Sequence, residues 1–467
     1  MNRLTRGVRG VIRRLATRAG LRTDEPCIPC GQRAAMPTFA FTPRPPNPIH
    51  DDVIPQLAPG VLFTVVDQQV VLYDPSRVQS HVLNTSAALV WAEVDHDRSV
   101  RQIVDDLERD TGADRAILDR DVTDTLARFV ETGIVIVEPH DGGPEAETEA
   151  GTTGDSAPDT PWAEPSPPSL AEVEWTAVIG PVRALGTDVV ARTNDPDAVA
   201  GLQAAVGALP PSSPGAIPTE VSLFDAGTDQ PRFRVYVGDQ RRWSDEQSTH
   251  LVATGVGEIT QLVIDGTPGH VLFHAGAVER DGQVVVVAGD SGRGKSTLTA
   301  ALVQRGFGYV TDEVVAIDPE TLDVRPFAKG IDLDEQSRHL LGLSPGRRHR
   351  SPSEGKTPVA IERLGTVSDG GRLALVVLLT DIASELEPAA PADASALVAA
   401  LLDLLQVTFE PCFADPATLD HLARIVTVVP VLRLGRGPLD DACDQIVSQV
   451  TGSLGLGSAT TSTLGSR

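Results

Sequence analysis

Val61–Val66 and Val70–Tyr73 are short apolar runs rich in β-branched and aromatic residues. With Asp67–Gln69 between them, the pattern predicts a β-hairpin. A short strand is expected at His81–Leu83, after which Asn84 or Thr85 suits the cap of a helix containing Ala87–Glu93. From Arg98 the period turns helical, with Val100, Ile103, Val104 and Leu107 on one face. A third helix is expected from about Ala116 to Thr132, with Val122, Leu126 and Phe129 inward. Gly133 stops it, and Ile134–Val137 reads as a strand. The expectation is a small domain over residues 57–138, strands first and helices after.

The flanks read differently. Residues 1–22 hold seven arginines and no acid, with Leu4, Val8, Val11, Ile12, Leu15 and Ala19 at helical spacing. Three readings stay open: a basic amphipathic helix for an anionic membrane surface or acidic partner, a disordered arm, or translation starting at Met36. Residues 37–56 are Pro-rich and read as a linker. The stretch 139–170 is rich in Gly, Pro, Ser, Thr and acids, and reads as a disordered acidic linker. From 171 to 450 strands and helices alternate at α/β spacing, and 451–467 reads as a flexible tail.

Length and composition narrow the classes. At 467 residues two or three domains are expected. A net charge of −25 argues against a nucleic-acid partner. No apolar run approaches the roughly 20 residues of a membrane span. Cys27 and Cys30 form a C-x-x-C, while Cys412 and Cys443 stand alone, so neither a zinc site with a second pair nor a disulfide framework is indicated. The expected location is cytoplasmic.

The chemistry concentrates at Gly289-Asp290-Ser291-Gly292-Arg293-Gly294-Lys295-Ser296, followed by Thr297, which fits G-x-x-x-x-G-K-[ST]. Glycines let backbone N–H groups converge on phosphate oxygens, and the helix that follows turns its positive end toward the anion. Lys295 is the expected contact to the β/γ-phosphates of a triphosphate such as ATP, and Ser296 the expected Mg²⁺ ligand. Gln283–Ala288 supplies a buried-type strand before the loop; Lys295–Gln304 supplies a helix after it, closed by Gly306. Next, Tyr309–Val315 reads as a strand that carries Asp312 and Glu313. In a parallel sheet this strand could lie beside the first, with one carboxylate at the metal and the other accepting a hydroxyl proton. His274, in the apolar stretch Val271–Val278 read as the strand feeding the loop, is either a core residue or part of the site.

Together His274, Gly289–Ser296, Arg305-Gly306 and Asp312-Glu313 resemble the HPr serine kinase family. The resemblance implies an α/β P-loop domain of the HPr-kinase, PEP-carboxykinase-like type. It makes Asp312 the acid/base and assigns Mg²⁺ to Ser296 with Asp312 or Glu313. Thr297 stands where that family has Glu, and only Arg325–Gly330 approximates its later loop. The likeness therefore does not extend to the reverse phosphorylase activity or to HPr as substrate.

The stretch His81–Trp91, with Glu131-Thr132-Gly133-Ile134-Val135 after the helices, resembles PqqD-type peptide chaperones. That resemblance implies a small winged-helix-like domain that binds a leader peptide as an added strand at the His81–Leu83 edge, with the third helix as the other wall. The combined expectation is an ATP- and Mg²⁺-dependent kinase acting on a hydroxyl, serine first, of a peptide or protein captured by residues 57–138. The alternative is a nucleotide-responsive peptide-binding adaptor without turnover. An oligomer is compatible with either.

Overall fold

The computed structural model describes residues 49–67, 69–94, 98–137, 170, 173–343, 355–380 and 394–457. The expectations for the basic arm, for Met36 and for Cys27 and Cys30 lie outside them. The chain is mixed α/β and divides into two compact units, taken separately below. No helix of the described residues is long and apolar enough to cross a membrane.

The first unit comprises β1 (Pro55–Leu57), β2 (Leu62–Val66), β3 (Gln69–Asp74), β4 (Gln79–Leu83), α1 (Thr85–Val94), α2 (Val100–Thr111), α3 (Arg115–Glu131) and β5 (Val135–Val137). Its helices start where local chemistry satisfies their free N–H groups. Asn84 Oδ1 accepts from Ala87 N at 2.8 Å, Ser99 and Gln102 close a capping box, and Asp114 Oδ1 accepts from Ala116 N at 2.9 Å. The strands pair as an antiparallel β2-β3-β4 sheet and a separate β1-β5 pair. Val122, Leu126 and Phe129 face a core where Phe129 meets Trp91 edge-on at 5.9 Å. The strand β1 takes Pro55 and Gln56, which the sequence pattern gave to the linker. Three residues are too short to show a period, and tertiary pairing with β5 makes the strand.

The second unit opens with β6 (Ala177–Ala184), β7 (Thr187–Thr193), α4 (Pro196–Val206), β8 (Thr219–Asp225), β9 (Phe233–Val237), β10 (Gln240–Asp245) and α5 (Leu251–Asp265). The strands form one sheet in the order β10-β9-β8-β7-β6, with only β7 and β8 parallel. Leu170 packs here against Phe224 and Tyr236, so the packed unit takes in the last residue of the expected acidic linker.

There follow β11 (Val271–His274), β12 (Gly276–Arg280), β13 (Gln283–Ala288), α6 (Lys295–Gln304), β14 (Gly308–Thr311), β15 (Val314–Ile317), β16 (Asp323–Arg325), β17 (Ile331–Leu333), α7 (Glu335–Leu340), β18 (Thr357–Val359) and β19 (Gly371–Leu379). The chain ends with α8 (Ala394–Val407), α9 (Thr418–Val428), β20 (Val431–Leu434) and α10 (Leu439–Gly457), which runs into the stretch read as a tail. An eight-stranded sheet has the order β11-β15-β16-β19-β13-β12-β14, with β20 beside β19. Its pairs are antiparallel except β13–β19 and β19–β20.

This corrects the parallel expectation. The strand after the loop helix does not lie beside β13, because β12 stands between them. A run such as Val284–Val287 is buried on both faces in either sheet type, so its pattern cannot tell them apart. Leu298, Ala301 and Leu302 of α6 pack on Val285 and Val287. Burying each leucine contributes roughly 2 kcal/mol, which anchors the loop between β13 and α6.

Candidate active site

The loop Gly289–Gly294 leaves the end of β13 and delivers the chain into α6. Gly289 has φ +148°, and a Cβ there would stand 3.0 Å from the Leu379 carbonyl oxygen, so backbone geometry and space both require glycine. Gly294, at φ +91°, turns the chain into the helix without a side-chain cap. The first N–H groups of α6 have no acceptor within their own helix, which leaves them for an anion. Lys295 is buried; its Nζ donates to the carbonyls of Gly289 at 2.8 Å and Asp290 at 3.2 Å. Burial lowers its pKa, while Asp312 and Glu313 oppose that shift. Arg293 pairs with Asp290 at 2.7 Å and ties the loop to itself. The Thr297 hydroxyl lies 2.7 Å from that of Ser337 and is thereby engaged with α7.

Asp312 and Glu313 occupy the bend between β14 and β15 rather than the interior of one strand. The bend gives two adjacent carboxyls opposite surroundings. Asp312 is 5% exposed; a hydrogen bond from Ser296 reaches its carboxyl, yet Oδ1 is buried without a partner. Burial raises its pKa to about 7 despite Lys329. Burial also pushes Glu313 up, but His274 and Lys329 outweigh it and hold Glu313 at about 2. His274 Nδ1 lies 3.3 Å from Glu313 Oε1, and Lys329 Nζ lies 3.4 Å from Oε2.

His274 is not on the strand that feeds the loop; that strand is β13. It ends β11 and reaches the acids because β11 pairs with β15, placing His274 opposite Val314. The structure thus gathers Lys295, Ser296, Asp312, Glu313 and His274. Of the carboxyls, it leaves the unpaired oxygen on Asp312, beside Ser296, while both Glu313 oxygens are engaged. The Ser296 hydroxyl at the start of α6 is a hard oxygen donor that fits a hard cation, and the orphaned Asp312 oxygen is left to accept a proton.

Sequence reasoning missed Lys329, Asp332 and Lys356. Lys329 is 2% exposed and also reaches Asp332 Oδ2 at 3.2 Å; burial would lower its pKa, but Asp332 and Glu313 raise it. The signal for it lay in Arg325–Gly330, the stretch set aside as an imperfect match. Lys356 is near enough to Lys295 to lower that residue's pKa further. A cavity of about 620 Å³ opens beside Glu313, Lys329 and Asp332 and runs between α4 and α5.

Residues 69–135 match the family model of PqqD, coenzyme PQQ synthesis protein D. TbiB1, solved in complex with the TbiA(beta) leader peptide, is 19% identical to this chain. The match covers 19% of this chain and 99% of TbiB1, at a TM-score of 0.17. The HPr(Ser) kinase/phosphatase from Coxiella burnetii is 17% identical, covering 39% of this chain and 90% of its own, at a TM-score of 0.23. TM-scores this low do not specify a fold, and the geometry above stands by itself. No curated protein matches the chain.

In the PqqD-like segment β4 pairs with β3 alone among the described strands, and Val82 on it is 43% exposed. Its outer edge therefore presents backbone donors and acceptors. Val122, Leu126 and Phe129 are buried in the core, so a strand added at β4 would meet other residues of the third helix.

Proposed function

We propose that the chain is a kinase. It transfers the γ-phosphoryl group of a nucleoside triphosphate, ATP first, to a hydroxyl, serine first, of a peptide or protein captured by the PqqD-like domain. The observation that carries this reading is the convergence of Lys295, Ser296 and an Asp312 poised near neutrality at one strand–loop–helix junction. A base is most effective when its pKa lies near the working pH.

The loop N–H groups and Lys295 bind and orient the phosphates. Ser296 would hold Mg²⁺, whose charge neutralises that of the phosphates, and Asp312 is left to take a proton. The acceptor oxygen forms its bond to the γ-phosphorus while the bond from that phosphorus to the β,γ-bridging oxygen breaks. The electron pair leaves with the diphosphate, and the acceptor proton passes to Asp312. His274 and Lys329 keep Glu313 ionised, so its charge disfavours a second carboxylate beside it and supports the high pKa of Asp312.

The test is incubation of the full chain with labelled ATP, Mg²⁺ and the peptides encoded beside its gene. Phosphate gained on a serine, read by mass, supports the reading; nucleotide binding with no transfer to any of them supports the adaptor instead.

Capture has its own test. Val82→Pro removes one amide donor from the β4 edge. Affinity for a labelled precursor leader is expected to fall by about tenfold, the scale of one hydrogen bond plus a local clash. Fluorescence anisotropy reads it, with circular dichroism confirming the fold. Equal affinity for a folded variant would exclude this edge.

A further inference from the structure

We infer that the cavity beside Glu313 and Lys329 is the acceptor site, and that it takes a compact alcohol carrying a cationic nitrogen close to its hydroxyl; this rests on the phosphoryl-transfer reading above.

Size is the first argument. A cavity of about 620 Å³ has the volume of a small-molecule site, and Glu313, the neighbour of Asp312 in the chain, is among its lining residues. It admits a side chain with its immediate neighbours, or a free amino alcohol, but not the surface of a folded domain. Its walls are the small and apolar residues Ala198, Gly201 and Ala205 of α4 and Val252, Val256 and Gly257 of α5.

Charge is the second argument. Asp195, Asp197, Glu313 and Asp332 line the cavity against Lys329 and Lys356. The Lys329 ammonium is shared between Glu313 and Asp332, at 3.4 and 3.2 Å. Lys356 acts on Lys295 and so lies toward the phosphate loop, where a triphosphate would absorb its charge. Asp195 serves as the cap of α4. Asp197, exposed in the first turn of α4, has no basic side chain within ion-pair distance among the described residues. An acceptor entering this cavity meets a surplus of negative charge, which favours a cation and disfavours a carboxylate. The acceptor oxygen then takes the γ-phosphoryl group, its proton passes to Asp312, and the diphosphate leaves with the bridging oxygen.

The experiment uses the full chain, ATP and Mg²⁺, with serine peptides alike except for Lys, Ala or Glu next to the serine, and free serinol as the small-molecule arm. Specificity, kcat/KM, is expected to fall from Lys to Ala to Glu by about fivefold at each step, the scale of a partly screened charge pair. Asp197→Asn is expected to pull the Lys-to-Ala ratio toward one. Gly257→Trp is expected to cut transfer to every acceptor by at least about tenfold. A Cβ at Gly257 meets nothing within 4 Å, and replacing a helical glycine favours the helix, so this variant fills the cavity without breaking the fold. Thermal denaturation checks that.

Phosphorylation of serinol alone assigns the site to a small amino alcohol; of the Lys peptide, to a peptide. A preference for Glu, or equal rates with all peptides, overturns the inference and leaves the kinase reading standing. Unchanged transfer by Gly257→Trp does the same, as does ATP binding with transfer to none of the acceptors. A chain that binds no ATP by calorimetry removes both.

Discussion

Asp312→Asn is expected to lower phosphoryl transfer by about 10²-fold or more and, at the same time, to stabilise the chain above pH 7. The first effect is the loss of a general base. The second follows from where the carboxyl sits. Burial holds its pKa at about 7 in the folded chain, against the ordinary aspartate value of 3.8. Between those values the folded state binds a proton that the unfolded state does not, so stability falls as pH rises from about 4 to about 7 and stays lower beyond. The cost is on the order of 2–4 kcal/mol, and Asn, which cannot ionise, avoids it. Glu313 shifts the other way: its contribution is present above 4.5 and is lost as pH falls toward about 2, outside this window. Parent transfer is expected to rise with pH through about 7. Thermal denaturation at pH 5 and pH 8 decides the stability arm: the parent loses Tm across that range and the variant does not. Parallel Tm curves would show that Asp312 does not carry the buried charge, and parent-like transfer by the variant would show that it is not the base.

How much of this was legible depends on how local each signal is. The phosphate loop spans eight consecutive positions, and its glycines, Lys295 and Ser296 each answer a local demand, so its form is readable without knowing the sheet. The hairpin of β2 and β3 was equally readable, because two short runs of strand-forming residues on either side of Asp67–Gln69 are a local pattern. The meeting of His274 with Glu313 was not. It depends on β11 choosing β15 as its neighbour, and strand order leaves no trace in a strand's own composition. Lys329 stayed hidden for a related reason. A single lysine inside Phe327–Gly330 looks solvated until the fold surrounds it with Glu313 and Asp332 and buries it. The short strand β1 shows the lower limit of pattern reading, since three residues carry no period.

Lys295→Ala is expected to reduce ATP affinity by about 10²-fold and to abolish transfer. The Nζ now donates to two loop carbonyls, at 2.8 and 3.2 Å, so the ammonium is held within the loop rather than in solvent. Two charge-assisted hydrogen bonds to phosphate oxygens contribute about 3 kcal/mol, which corresponds to that loss in affinity. Transfer suffers further, because charge grows on the leaving oxygen as its bond to phosphorus breaks, and Lys295 is the loop's fixed positive charge. The fold is expected to survive. Burial already works against this ammonium, so its removal leaves no unpaired buried cation, and α6 gains a residue of high helix propensity. Calorimetry with ATP and Mg²⁺ measures the first effect and phosphate incorporation the second, with Tm as the control. Parent affinity together with parent turnover would sink the phosphate-loop assignment. Leader binding by the PqqD-like segment should stay at the parent value in Lys295→Ala, just as ATP binding should in Val82→Pro. That double separation distinguishes two sites with their own chemistries from one site disturbed by misfolding.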